Sequence, residues 1–143
     1  MTRVMASGVF DILHTGHISY LEQAKALGDE LVVVVACDDT VRTKKHEPVT
    51  PENMRLRIVS SIRSVDMAIL GKQGDMFGAV KELRPDIIAL GFDQDFKEEE
   101  LMEGLKRNGL EHIEVIRVTE CAEDLAATRR IISRIRGSKE CEK

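Results

Sequence analysis

His14 and His17 stand three residues apart around Gly16 in the stretch Ser7-Gly8-Val9-Phe10-Asp11-Ile12-Leu13-His14-Thr15-Gly16-His17. Two imidazoles so close can turn N–H groups toward the same phosphoryl oxygens and stabilise charge developing on a pentavalent phosphorus and a departing pyrophosphate. Zinc is a competing use of histidine, but a structural site needs four ligands and no third or fourth lies at suitable spacing. Capping a helix is the other ordinary use of such a pair. A dinucleotide fingerprint is disfavoured, since it calls for G-x-G-x-x-G directly after a strand and the two glycines here are eight apart.

Such a loop works only if a strand feeds it and a helix leaves it. Apolar runs recur at Val4 to Ala6, Leu31 to Ala36, Met67 to Leu70, Ile87 to Leu90 and Ile113 to Val118. The unbroken Leu31-Val32-Val33-Val34-Val35 run suits a strand of a parallel sheet, covered on both faces. Helix-length amphipathic segments lie between and after the runs: His17 to Leu27, Glu52 to Arg63, Met76 to Leu83, Glu98 to Asn108 and about Ala126 to Arg136. Gly28 and Gly109 sit where a helix end would accept a positive φ, and Pro51-Glu52 suits a first helical turn. The alternation predicts an α/β fold: a doubly wound, parallel, five-stranded sheet with helices on both faces. Ligands of such sheets bind where the strands end. His17 then stands at a helix N-terminus, which offers free N–H groups and partial positive charge to an anion, while Gly8 and Gly16 let backbone approach a ligand. The segment 42–50 and the tail 137–143 read as mobile.

Length and composition bound the rest. A chain of 143 residues is expected to form one domain, 1–143. No apolar stretch reaches the ~20 residues of a membrane span, and the first residues do not read as a secretory leader, so no membrane partner is expected and the expected compartment is the cytoplasm. A net charge of −4 argues against nucleic acid as a partner. Three cysteines, Cys37, Cys121 and Cys141, contain no C-x-x-C pair and indicate neither a disulfide framework nor a zinc ribbon.

Gly8-Val9-Phe10-Asp11-Ile12-Leu13-His14-Thr15-Gly16-His17 resembles the G-x-F-D-x-x-H-x-G-H signature of the cytidylyltransferase-like nucleotidyltransferases. The resemblance continues in order through the basic stretch Val41 to Val49, Arg55, Ile62-Arg63-Ser64-Val65-Asp66 and Gly91-Phe92-Asp93-Gln94. It implies a Rossmann-like sheet and attack of a substrate phosphate on the α-phosphorus of a nucleoside triphosphate, with loss of pyrophosphate and no covalent enzyme intermediate. Carried over by residue, Val9 and Phe10 contact the nucleotide through backbone, Asp11 fixes the loop, and His14 and His17, with Thr15 and Gly16 between them, bind the triphosphate and its transition state. Lys44 falls on the phosphate-binding lysine and Asp93 on a nucleotide contact. Arg42, Lys44 and Lys45 could close over the pyrophosphate. Arg55 is open between a surface ion pair and a phosphate clamp. The serine- and threonine-rich turn usual before the last helix is missing here, and only Thr128 and Arg129 keep a hydroxyl and a cation there.

The resemblance leaves the substrates open between ATP with FMN and CTP with glycerol 3-phosphate or a related phosphoalcohol. Shortness, G-[YF]-D-Q, the late cysteines, the absence of tryptophan and Thr15 in place of an aromatic residue lean toward the archaeal-type branch that adenylylates FMN to FAD. A nucleotide sensor without turnover is the reading from another class. A divalent cation such as Mg²⁺ is expected with the nucleotide, because the triphosphate carries more charge than two histidines and a few lysines offset. The segment from Arg55 to Asp66 resembles the region through which family members pair, which implies a homodimer.

Overall fold

In the computed structural model, which describes residues 1–43, 46–94, 97–123 and 125–137, strands and helices alternate. They run β1 (Arg3–Gly8), α1 (Thr15–Ala26), β2 (Glu30–Val35), α2 (Asp38–Thr43), α3 (Glu52–Ser60), β3 (Met67–Leu70), α4 (Met76–Leu83), β4 (Ile87–Leu90), α5 (Glu98–Arg107), β5 (Glu114–Arg117) and α6 (Thr128–Gly137). The strands form one parallel sheet in the order β3-β2-β1-β4-β5.

Strand alternation explains why the central runs are apolar throughout. Val4 and Ala6 of β1 and Leu31, Val33 and Val35 of β2 pack with Tyr20, Leu21 and Ala24 of α1 and Val59 of α3. Met5, Val32 and Val34 point the other way, into a layer with Val80 and Leu83 of α4 and Leu101 and Leu105 of α5. Successive side chains leave a strand on opposite faces, so a strand with helices on both sides has no polar face to show.

Chain order and sheet order diverge at β1. The path moves from β1 to β2 and β3 on one side, then returns to β4 and β5 on the other. The loops that leave β1 and β4 therefore part company at the C-terminal edge, the place where an open α/β sheet makes a crevice. Strand β1 runs two residues beyond the apolar triplet, Ser7 and Gly8 pairing with Val34 and Val35, and so carries the chain to the start of the histidine loop.

Three local expectations are corrected. Helix α2 occupies 38–43, where Asp38-Asp39-Thr40-Val41-Arg42-Thr43 holds one buried apolar residue, Val41, and hence no readable period. Two acidic residues in its first turn complement the helix dipole. Gly28 does not take a positive φ: a Cβ there would lie 2.8 Å from the Thr2 carbonyl oxygen, so close packing is what excludes a side chain. Gly109, at φ 71°, does terminate its helix in the expected way. The third correction concerns the end of the basic stretch, where Val49 and Thr50 are tied to Asp11 by their backbone amides.

Candidate active site

Between β1 and α1 the chain makes a tight coil in which Phe10 and Ile12 both adopt positive φ, 56° and 53°. A β-branched residue in that region is strained, and such strain persists only where surrounding contacts impose it. Those contacts are present. Phe10 is buried, stacked against Tyr20 and tilted 5.3 Å from His17. The Asp11 carboxylate accepts hydrogen bonds from the Val49 amide at 2.7 Å, the Thr50 amide at 3.0 Å and the Thr50 hydroxyl at 2.6 Å. Burial opposes ionisation of Asp11, but those donors and the nearby Arg55 charge outweigh it and hold its pKa below the ordinary value.

The histidine pair closes the coil and opens the helix. His14 is the N-cap of α1, its Nδ1 accepting from the Gly16 amide at 3.0 Å, and the His14 amide donates to His17 Nδ1 at 3.2 Å. This reciprocal arrangement follows the logic of a capping box, with imidazoles in place of hydroxyl and carboxylate. The rings stack with centroids 3.9 Å apart. Capping and phosphate binding are thus not exclusive. A ring nitrogen that accepts an amide N–H carries no proton, so each neutral imidazole is protonated at Nε2 and keeps that donor for a ligand. Burial pushes His17 down to about 4, with His14 adding to the fall and Asp11 opposing it. Burial also lowers His14, against the pull of the Asp93 carboxylate. Both rings are therefore neutral donors at pH 7.

Thr15 is exposed at the first helical position, and Gly16 packs against the segment that leads into α6. A Cβ on Gly16 would sit 2.5 Å from the Ala126 carbonyl oxygen. The Thr128 hydroxyl donates to the Asp11 carbonyl oxygen at 2.7 Å, so the start of α6 is fastened to the histidine loop. Arg129 is exposed one residue on and borders, with Arg130 and Arg134, an open hollow of about 500 Å³.

Arg55 is neither a surface ion pair nor a phosphate clamp. Its side chain is fully buried. Its guanidinium donates to the carbonyl oxygens of Thr50 at 2.9 Å, Val9 at 2.8 Å and Ala36 at 2.7 Å, and to the Asp38 carboxylate at 2.6 Å. The fork joins the ends of β1 and β2 to the stretch that Asp11 also holds. Arg42, expected over a pyrophosphate, is instead engaged by Asp39 at 3.0 Å and Glu47 at 3.2 Å. Lys44 and Lys45 lie outside the described residues.

The turn after β4 is fixed from both sides. Gln94 accepts from the Gly91 amide and donates to the Ser7 carbonyl oxygen, each at 2.8 Å, which bolts the turn to the end of β1. Arg117, which sequence reasoning missed, donates from β5 to the carbonyl oxygens of Gly91, Phe92 and Gln94 and pairs with Glu98. A lone arginine ending an apolar strand was the available signal. Asp93 stays exposed on the turn so held. On the other face of the sheet a cleft of about 470 Å³ reaches from Gly8 and Val9 to the start of α4. Among the described residues no group of three or more His, Cys, Asp or Glu is placed to hold a metal ion.

Comparison with known proteins identifies the family. The cytidylyltransferase-like family model matches residues 5–134. The chain is 53% identical over 139 residues to the FAD synthase of Methanothrix thermoacetophila, covering 94% of each chain. It is 49% identical over 136 residues to the FAD synthase of Aciduliprofundum boonei, covering 94% of this chain and 91% of that one. A solved structure from Thermoplasma volcanium, described as a lipopolysaccharide core biosynthesis protein, superposes with a TM-score of 0.83 at 51% identity, over 85% of this chain and 98% of its own. Matched along nearly its whole length, the chain belongs to the cytidylyltransferase-like family.

Proposed function

We propose that the protein transfers AMP from ATP to FMN, giving FAD and pyrophosphate. The observation that carries the reading is the stacked histidine pair, whose Nδ1 atoms are committed to backbone amides and whose Nε2–H donors are left for phosphate. The acceptor and nucleotide follow from relatives about half identical along the chain that bear the name FAD synthase.

An FMN phosphate oxygen attacks the α-phosphorus of ATP, and the bond to the bridging oxygen of pyrophosphate breaks. His14 and His17 donate to oxygens whose charge grows in the transition state, and the N-terminus of α1 adds its dipole. Neutral imidazoles suit this role, since the step needs donors rather than a base: the attacking phosphate is already ionised. Lys44 and Arg129 offer positive charge to the leaving pyrophosphate, and Asp93 faces the nucleotide. Arg55, Asp11 and Thr128 hold the loop from behind. A divalent cation, bound with the nucleotide, supplies the remaining charge neutralisation. The active species is a homodimer.

The test is pyrophosphate release from ATP or CTP with FMN, glycerol 3-phosphate or ethanolamine phosphate as acceptor. ATP with FMN should turn over in Mg²⁺ and stop in excess EDTA. Turnover confined to CTP with a phosphoalcohol would overturn the reading, and no turnover with any pair would mark a sensor.

A further inference from the structure

The histidine loop accounts for phosphates but says nothing about what the other end of the acceptor touches. On the α4/α5 face, the cleft of about 470 Å³ begins at Gly8, the last residue of β1, and Val9, the first of that same loop. Its floor is the pair Met5 and Val34, which leave neighbouring strands on the same side, and its wall is Met76, Phe77 and Ala79 of α4. Lys72 and Asp75 stand at the rim and are exposed. Met5 and Val34 are nearly buried, whereas Met76 keeps 39% exposure despite its apolar side chain.

Resting on the FMN reading above, we propose that this cleft seats the isoalloxazine ring of the acceptor, with Met76 and Ala79 setting specificity for a large planar ligand. Size, lining and position bear on the occupant. The cleft falls within the roughly 300–1,000 Å³ of small-molecule sites, and its composition matches them: mostly apolar walls with a few polar groups at the edge. A flat tricycle laid between a sheet surface and a helix covers both walls, while a three-carbon phosphoalcohol would leave them wet and forfeit the burial. Polarisable methionine sulfur beside an aromatic ring adds a favourable contact. Continuity with Gly8 and Val9 lets an acceptor lying in the cleft present its phosphate to the histidine loop. Lys72 provides a donor for the polar edge of the pyrimidine ring, and Asp75, whose carboxylate caps α4 through the Gly78 amide, keeps lone pairs as an acceptor.

The experiment is steady-state kinetics on Met76→Ala and Ala79→Leu, with melting temperature as the folding control. KM for FMN is measured at saturating ATP and KM for ATP at saturating FMN. Removing the wall or filling the slot should raise the KM for FMN about tenfold or more, the scale on which apolar pockets discriminate, and leave the KM for ATP unchanged. A raised KM for ATP with FMN unaffected would assign the cleft to adenine and overturn the proposal, as would unchanged values for both. Should Ala79→Leu fail to fold, Met76→Ala decides, because its side chain is already half in water. Failure of the FMN reading itself is seen separately, in wild-type protein that turns over another acceptor but not FMN.

Discussion

The histidine pair does two jobs with different atoms, and a substitution that separates them is available. His14→Ala removes both the cap and the donor. Loss of the cap should cost about 1 kcal/mol of stability, and loss of a transition-state donor about 10²- to 10³-fold in kcat. His14→Asn keeps a side chain that caps well but has no Nε2–H. It should melt near the wild-type temperature while kcat stays collapsed, whereas recovery of kcat with Asn would show that capping alone is required. The depressed pKa values make a second prediction. Between the folded value of about 4 for His17 and the ordinary 6.5, the unfolded chain binds more protons than the native one. Stability is then full above 6.5 and falls as pH drops toward 4, the sign that follows from the unfolded state taking up the extra proton. A melting series from pH 8 to pH 4 should show that decline, and His17→Asn should flatten it.

Arg55 converts a set of separate elements into one frame. It reaches the residue that follows β1 through Val9, the residue that follows β2 through Ala36, α2 through Asp38 and the stretch before its own helix α3 through Thr50. Replacing it by Met leaves three carbonyl oxygens and a partly buried carboxylate without their donor. That should cost about 3–5 kcal/mol, measured by denaturant unfolding, and Arg55→Lys should recover little because an ammonium cannot reproduce the planar fork. A loss of activity with unchanged stability would return Arg55 to the phosphate-clamp reading. The elements themselves were largely legible in the sequence. Apolar runs marked all five strands, and periodic segments marked five of the helices to within a few residues. Helix α2 was not legible because six residues with one apolar side chain have no period. The location of the histidine loop could be read from glycine and histidine spacing, but its internal bonding could not: whether an imidazole uses Nδ1 or Nε2 is decided by backbone geometry. Arg55 and Arg117 were misread or missed for one reason, that sequence gives a charge but not its burial.

At the scale of the molecule, the sheet order leaves β3 as an edge strand with α3 packed beside it, and the apolar surface there is unequally covered. Met54 on α3 is 50% exposed and Met67 at the start of β3 is 41% exposed, although Val59 between them in sequence is fully buried. Asp66 accepts from the Leu31 amide at 2.7 Å and from Lys25 at 2.5 Å, which fastens the turn from α3 into β3 to β2 and α1. Single exposed apolar side chains are ordinary on a monomer. Met54 and Met67 flank the 55–66 segment that resembles the pairing region of the family, and their exposure supports a homodimer formed through α3 and β3. Sedimentation at micromolar concentration should give the mass of two chains. Met54→Glu places a charge at the proposed interface and should shift the protein toward the monomer without lowering the melting temperature measured at low concentration, where dimer contacts no longer contribute. Wild-type protein that sediments as a monomer would overturn the assembly. A dimer indifferent to Met54→Glu would move the interface away from α3 and leave the second copy to be sought along another face.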